Sequence, residues 1–289
     1  MEAQRGEIRG ARLDAKHDNA ARHRRETSDS IILDRTYGNQ DVKNEMEMRL
    51  DGQRIRSILG LGQPFATRWS LALLLGWLAF RIYRLTLPWI VGQFSLQDMV
   101  SYTIAVFYGP SALLLLALFA AHRRWCFPDI RFIGDIRRQH VVQGIAAVSA
   151  IYLAAYATTL WLGQPREVTM ATLYDHKTPT QIAVMVACLL LLPPVVEELA
   201  FRHFLLSILP FKSNRWVAAV AVVATATFFS YQHRTSYQFM TTFLALFALG
   251  LVFALARIRS DGLVLPISLH AYAVAFALTC DQVVARIQA

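Results

Sequence analysis

From residue 69 onward the chain alternates long apolar runs with short polar breaks. The runs lie at 69–92, 103–121, 140–162, 181–209, 216–233, 238–256 and 262–284. Each is close to the ~20 residues with which an α-helix crosses ~30 Å of hydrocarbon. The pattern predicts an all-α fold, a polytopic membrane bundle of about seven transmembrane helices, over residues 67–289. Ahead of it, residues 1–66 mix charges of both signs with few large apolar side chains. That segment is expected to be a polar, largely disordered cytoplasmic tail. Its first thirty residues hold no apolar core of a cleavable signal, so insertion is expected to begin at the first apolar run.

Composition sharpens the division. The chain of 289 residues is 55% hydrophobic and 17% charged, against about 45–50% and about 25% in soluble domains. Residues 1–68 hold 13 Lys/Arg and 11 Asp/Glu, and residues 69–289 hold 16 and 9. Most of the formal net charge of +9 therefore sits between the apolar runs. Arg123, Arg124, Arg131, Arg137 and Arg138 cluster in one loop, Lys212 and Arg215 in a second, Arg257 and Arg259 in a third. Loop 163–180 carries only Arg166 and Lys177, balanced by Glu167 and Asp175. With the N-terminus cytoplasmic, every basic loop falls on the cytoplasmic side and the C-terminus outside, as the positive-inside rule asks. The expected location is the plasma membrane. The charge is thus read as orientation within a bilayer and not as a nucleic-acid footprint. Cys126, Cys188 and Cys280 are far apart, with neither disulfide-framework nor zinc spacing.

The polar residues inside the apolar runs carry the candidate chemistry. Glu197, Glu198, Arg202 and His203 interrupt the fourth run just after Pro193 and Pro194, which are expected to kink that helix or divide it. A carboxylate in hydrocarbon costs several kcal/mol unless it is paired or protonated. Glu198 and Arg202 are i,i+4 neighbours on a helix, in the favourable acid-first order. Glu197 points about 100° away and is free to face something else. His233 closes the fifth run, four residues after Phe229, and His270 lies inside the seventh. At ~1.5 Å per residue these groups sit at unequal depths from the cytoplasmic ends: Glu197 roughly 18 Å, His233 roughly 25 Å and His270 roughly 12 Å. Tilt and the proline kink are expected to close the spread. Together the three can activate a water, the carboxylate taking its proton and an imidazole donating to a developing oxyanion. The same trio could hold a divalent metal such as zinc. The spacing leaves both open. His122, His140 and His176 lie in loops or at span ends and are read as interfacial, His203 as structural or interfacial, Arg81 and Arg84 as anchors.

Glu197-Glu198-x-x-x-Arg202, then Phe229-x-x-x-His233, then His270 in a later span, resembles the signature order of the CPBP family. These are the CaaX-processing and bacteriocin-processing intramembrane endopeptidases, also called the abortive-infection family. The resemblance covers residues 180–284. It implies a multi-helix protease with Glu197 as general base on water, His233 assisting and His270 near the oxyanion. It also implies that Glu198 and Arg202 are structural or orient Glu197, that no metal is needed, and that the substrate is a membrane-associated or lipidated peptide or protein. The family's third motif is usually His-x-x-x-Asn, and this chain has Val274 in place of the Asn. Valine has no donor, and losing one oxyanion donor typically costs about 10²–10³ in rate. Gln232 on another helix is a candidate substitute. The alternative is a catalytically reduced or inactive member that acts as a membrane-protein scaffold or immunity protein.

Overall fold

The computed structural model describes residues 88–95, 102–125, 128–208, 211–212 and 214–288. The expectations for residues 1–66, for Arg81 and Arg84, for Cys126 and for most of the first apolar run lie outside these. The described chain is helical, without a strand. We label its helices α1 (Thr103–Trp125), α2 (Arg138–Trp161), α3 (Val168–Ala171), α4 (Pro179–Glu198), α5 (Arg215–Gln232), α6 (Met240–Ser260) and α7 (Val264–Gln288). Among the described residues five helices are long and apolar enough to cross a membrane: α1, α2, α4 with its continuation to Leu205, α6 and α7. The fifth predicted run forms α5, which is not among those five. The chain is a multi-pass membrane protein, but the count of seven crossings is not reached by these residues.

Its outer surface is apolar, as a lipid solvent requires. Leu113, Trp161, Trp216, Val220 and Leu244 are all exposed. Inside, small residues let backbones approach, the usual device where hydrophobic burial cannot drive helix association. A Cβ on Gly250 of α6 would stand 2.9 Å from the Ala226 Cα of α5, and one on Gly144 of α2 would stand 2.5 Å from Leu269 of α7. Val148, Leu249, Phe253, Leu265 and Leu269 form the core shared by α2, α6 and α7. Phe119, Leu199 and Leu263 form a second core under α1 and α4.

Helix α4 begins at a capping box. The Thr178 hydroxyl accepts from the Gln181 backbone N–H, and the Gln181 side chain accepts from the Thr178 N–H, with Pro179 at the first helical position. Of the two expectations at Pro193-Pro194, a kink or a division, the division does not occur. Both prolines are buried within a continuous helix that reaches Glu198. Proline cannot donate to the carbonyl one turn back, and the irregularity falls later. Residues Leu199–Leu205 widen into a π-helix, followed by a 3-10 turn at Leu206–Ile208. Such widened turns inside helices are frequent at functional sites.

Two clasps fix the loops. The strap between α1 and α2 lies on the α6–α7 turn: the backbone N–H groups of Leu263 and Val264 both donate to the Phe132 carbonyl, and that of Asp135 to the Ser260 carbonyl. Gly134 is required there. Its φ is +74°, and a Cβ would stand 2.3 Å from the Ser260 oxygen. Asp261 ends α6 in the left-handed conformation (φ +49°) that Asp tolerates and pairs with Lys212 at 2.7 Å and Arg257 at 3.5 Å. At the opposite end of α6, the Glu167 carboxylate accepts from the Gln238 N–H (2.9 Å), the Phe239 N–H (3.1 Å) and the Thr242 hydroxyl (2.7 Å). These groups include donors that a helix N-terminus leaves unpaired, so loop 163–171 is tied down over the turn that follows His233.

Candidate active site

Glu197 and Glu198 occupy the last turn of α4 and face different surroundings. Glu198 is fully buried. Its Oε1 lies 3.1 Å from an Arg202 amino nitrogen and accepts from His270 Nδ1 at 2.9 Å. Arg202 is also fully buried and donates to the Gly250 carbonyl at 3.3 Å. Its guanidinium carbon lies 4.6 Å from the centroid of Phe229 and 5.3 Å from that of Phe253. A planar cation between ring faces and a carboxylate uses contacts that an ammonium makes less well. Phe229, 1% exposed, also stands edge-on to the rings of His233 and His270. It is the apolar wall that the motif's Phe supplies.

Glu197 is partly accessible. Its Oε1 accepts from the Tyr108 hydroxyl of α1 at 3.3 Å. Its Oε2 has no hydrogen-bond partner and lies 3.9 Å from His233 Nε2 and 3.8 Å from His270 Nε2. Three segments far apart in sequence therefore bring one carboxylate oxygen and two imidazole nitrogens to a common point. Separations beyond 3.5 Å are those a single bridging water spans.

Both imidazoles are held by their other nitrogen. His233 follows α5 in a 3-10 turn, where its Nδ1–H donates to the Phe229 carbonyl at 2.8 Å. The Nδ1–H of His270 donates to Glu198, while its ring stacks on Phe253 at 4.9 Å. Carbonyls and carboxylates only accept, so in its singly protonated form each ring presents an Nε2 lone pair toward Glu197. A water offers two protons to these three acceptors. The ring that takes a second proton becomes a donor.

The Glu198 contacts described are with His270 and Arg202, and none is a hydrogen bond to Glu197. The candidate substitute Gln232 is exposed. The Tyr272 hydroxyl is engaged with Ser149 at 2.7 Å. Val274, one turn beyond His270, is half-buried and brings no polar group. Among the described residues no group of three or more His, Cys, Asp or Glu side chains is set to hold a metal ion.

The reading of His122 as interfacial needs correction. It is buried on α1, and its Nδ1 lies 2.7 Å from His203 Nε2, with both rings packed against Phe204. A basic residue at the end of an apolar run looks solvated until the widened turn of the neighbouring helix covers it. His140 is half-buried, and His176 is exposed with φ +56°.

Sequence reasoning also missed Tyr108 and Tyr237. Tyr108 stands in an ordinary apolar run, with nothing nearby to mark it. Tyr237 stacks on His233 at 6.0 Å between centroids. Burial first, and then the nearby Glu197 carboxylate, push its phenol up to about 12.

The model of the family described as type II CAAX prenyl endopeptidase Rce1-like matches residues 179–276, which contain all three motif elements. An Escherichia coli relative, described as an uncharacterized 24.3 kDa protein, is 30% identical over 172 residues, 59% of this chain and 77% of the relative. No solved structure matches the chain. The chain belongs to the CPBP family of CAAX-type intramembrane endopeptidases.

Proposed function

We propose that the protein hydrolyses peptide bonds of a membrane-associated or lipidated peptide or protein, with water as nucleophile. The observation that carries this is the unpartnered Oε2 of Glu197, set at 3.8 and 3.9 Å from two imidazole nitrogens whose other nitrogens are already held. Glu197, aided by His233, takes a proton from water as the water oxygen bonds to the scissile carbonyl carbon. A doubly protonated His270, held by Glu198, donates through Nε2 to the oxygen that gains charge. The tetrahedral species collapses when Glu197 returns its proton to the leaving nitrogen and the C–N bond breaks. No metal takes part in this scheme, so a chelator leaves the rate unchanged. The basic loops support an N-terminus on the cytoplasmic side, and the membrane proposed is the plasma membrane.

A second reading rests on Val274. With one oxyanion donor absent, the protein is a slow or silent member that binds a membrane partner. Purified protein in liposomes, given a library of quenched fluorogenic peptides, separates the two. Cleavage that disappears in Glu197→Ala and in His233→Ala, with the melting temperatures of both variants retained, supports the protease. A wild type that cleaves nothing, yet captures a membrane protein equally well with or without Glu197, supports the scaffold.

A further inference from the structure

Beside the Glu197 cluster lies a cleft for which the reaction scheme has no use. It runs between α2, α6 and α7 under loop 163–171, is open on one side and holds about 80 Å³. That is well below the ~300–1,000 Å³ of sites that take a whole ligand, and leaves room for one side chain. Its space exists because three helices each contribute an alanine, Ala155, Ala245 and Ala277. Tyr152, Tyr156 and Tyr237 stand around them. Tyr237 is shared with the active site, since the ring that lines this cleft also stacks on His233. Leu249, on the cleft floor, immediately precedes the Gly250 whose carbonyl holds Arg202.

The charges around the cleft are all engaged. Arg166 is paired through two nitrogens with Asp281, and Glu167 accepts three hydrogen bonds. A charged side chain entering it would meet no uncompensated partner, whereas an apolar one would meet Met170, Leu246, Leu249 and Val284.

We propose that this cleft receives the apolar side chain of a peptide substrate, at a position flanking the bond attacked at Glu197. The inference rests on the protease reading, and Tyr237, which lines the cleft and stacks on His233, is the residue the two sites share. A bulky aliphatic or aromatic residue is selected there, and Asp or Lys is rejected.

The test uses the full chain in liposomes with quenched decapeptides varied at each position around the scissile bond. The expected result is a preference of at least tenfold for Leu, Met or Phe over Asp and Lys at one position. Ala277→Phe, which fills the cleft, shifts that preference toward Gly and Ala by tenfold or more. Ala155→Phe serves the same purpose from another helix should Ala277→Phe fail to fold. A folded variant that slows every peptide equally, or changes nothing, overturns the proposal. If the wild type cleaves no peptide, the protease reading fails and binding decides the cleft separately. A photo-leucine peptide that labels residues 152–159 or 237–249, and loses that label in Ala277→Phe, supports peptide binding. Labelling of those segments by a diazirine phospholipid and not by the peptide overturns it.

Discussion

The Oε1 of Glu198 accepts the Nδ1–H of His270 at 2.9 Å while also lying 3.1 Å from Arg202. One buried carboxylate thus fixes the ring that faces Glu197 and neutralises the buried Arg202 guanidinium. The two roles separate by substitution. Glu198→Gln keeps the shape but lets the amide flip, so it fixes neither the His270 tautomer nor the charge balance. The expected result is a ~10²-fold loss in kcat with KM little changed, the mark of a positioning residue and not of lost substrate binding. Glu198→Ala also strands Arg202, and breaking a buried pair this way costs about 3–5 kcal/mol, so its melting temperature should fall well below that of Glu198→Gln. Equal effects of the two variants on kcat and on melting would refute the separation.

Tyr108 touches Glu197, the proposed base, by a hydrogen bond from a helix that carries none of the motif. Hydrogen bonds to charged groups contribute about 1.5–3 kcal/mol, and 1.36 kcal/mol is tenfold in rate. The 3.3 Å length puts this one at the weak end. Tyr108→Phe is expected to lower kcat/KM by about tenfold without changing the fold, as read by peptide kinetics alongside thermal melting. An unchanged rate removes Tyr108 from the site.

The close approach of Gly250 to Ala226 sets the distance between α5 and α6, and α5 carries Phe229 toward His233. A methyl group on Gly250 would sit 2.9 Å from backbone, which cannot swing aside as a side chain can. Overpacking of this kind costs about 1–3 kcal/mol. Gly250→Ala is expected to lower both stability and cleavage. Adding Ala226→Gly removes the methyl group it meets at 3.0 Å and should recover part of both. A double variant no better than Gly250→Ala alone would show that the contact does not set the spacing.

Alkaline stability follows from Tyr237. Its phenol is pushed up to about 12, by burial first and then by Glu197, from an ordinary value near 10. Between these values the unfolded chain has released the proton and the folded chain still holds it. Stability is therefore fully present below pH ~10 and is lost as pH rises toward 12. Tyr237→Phe keeps the ring on His233 and cannot ionise, so its melting temperature should decline less over that window than the wild type's. Parallel declines would place the titrating group elsewhere.

Much of this site is legible in the chain because hydrocarbon makes polar intrusions conspicuous. Glu197, Glu198, Arg202, His233 and His270 each interrupt an apolar run, and the structure brings all five within a few ångströms. Depth counting placed them at unequal levels, since it takes every span as straight and flush with its neighbours. In fact His233 leaves the end of α5, Glu197 stands near the end of α4, and His270 lies in the second turn of α7. That their side chains meet means that these helix ends do not share a level. The prolines did not divide the helix, because a break in hydrogen bonding need not break it, and the widening came at Leu199. Tyr108, Tyr237 and the buried His122 stayed hidden for a different reason. Nothing in their own stretches marks them, and their roles come only from what packs against them.

Val274 offers the most direct decision between an active and a silent protein. It lies one turn beyond His270 on α7, and residues four apart share a helix face. An amide placed there would give a second donor near the Nε2 of His270, the arrangement the family resemblance implies. Removing such a donor typically costs about 10²–10³ in kcat. Restoring it in a site that packs around valine should recover part of that, and Val274→Asn is expected to raise kcat by about tenfold or more with KM little changed. Pairing it with Glu197→Gln controls the interpretation, because the gain must vanish when the base is removed. If Val274→Asn folds and remains as slow as the wild type, a donor at this position is not what limits the rate. If the wild type is inert and Val274→Asn cleaves, the valine is what keeps this protein silent.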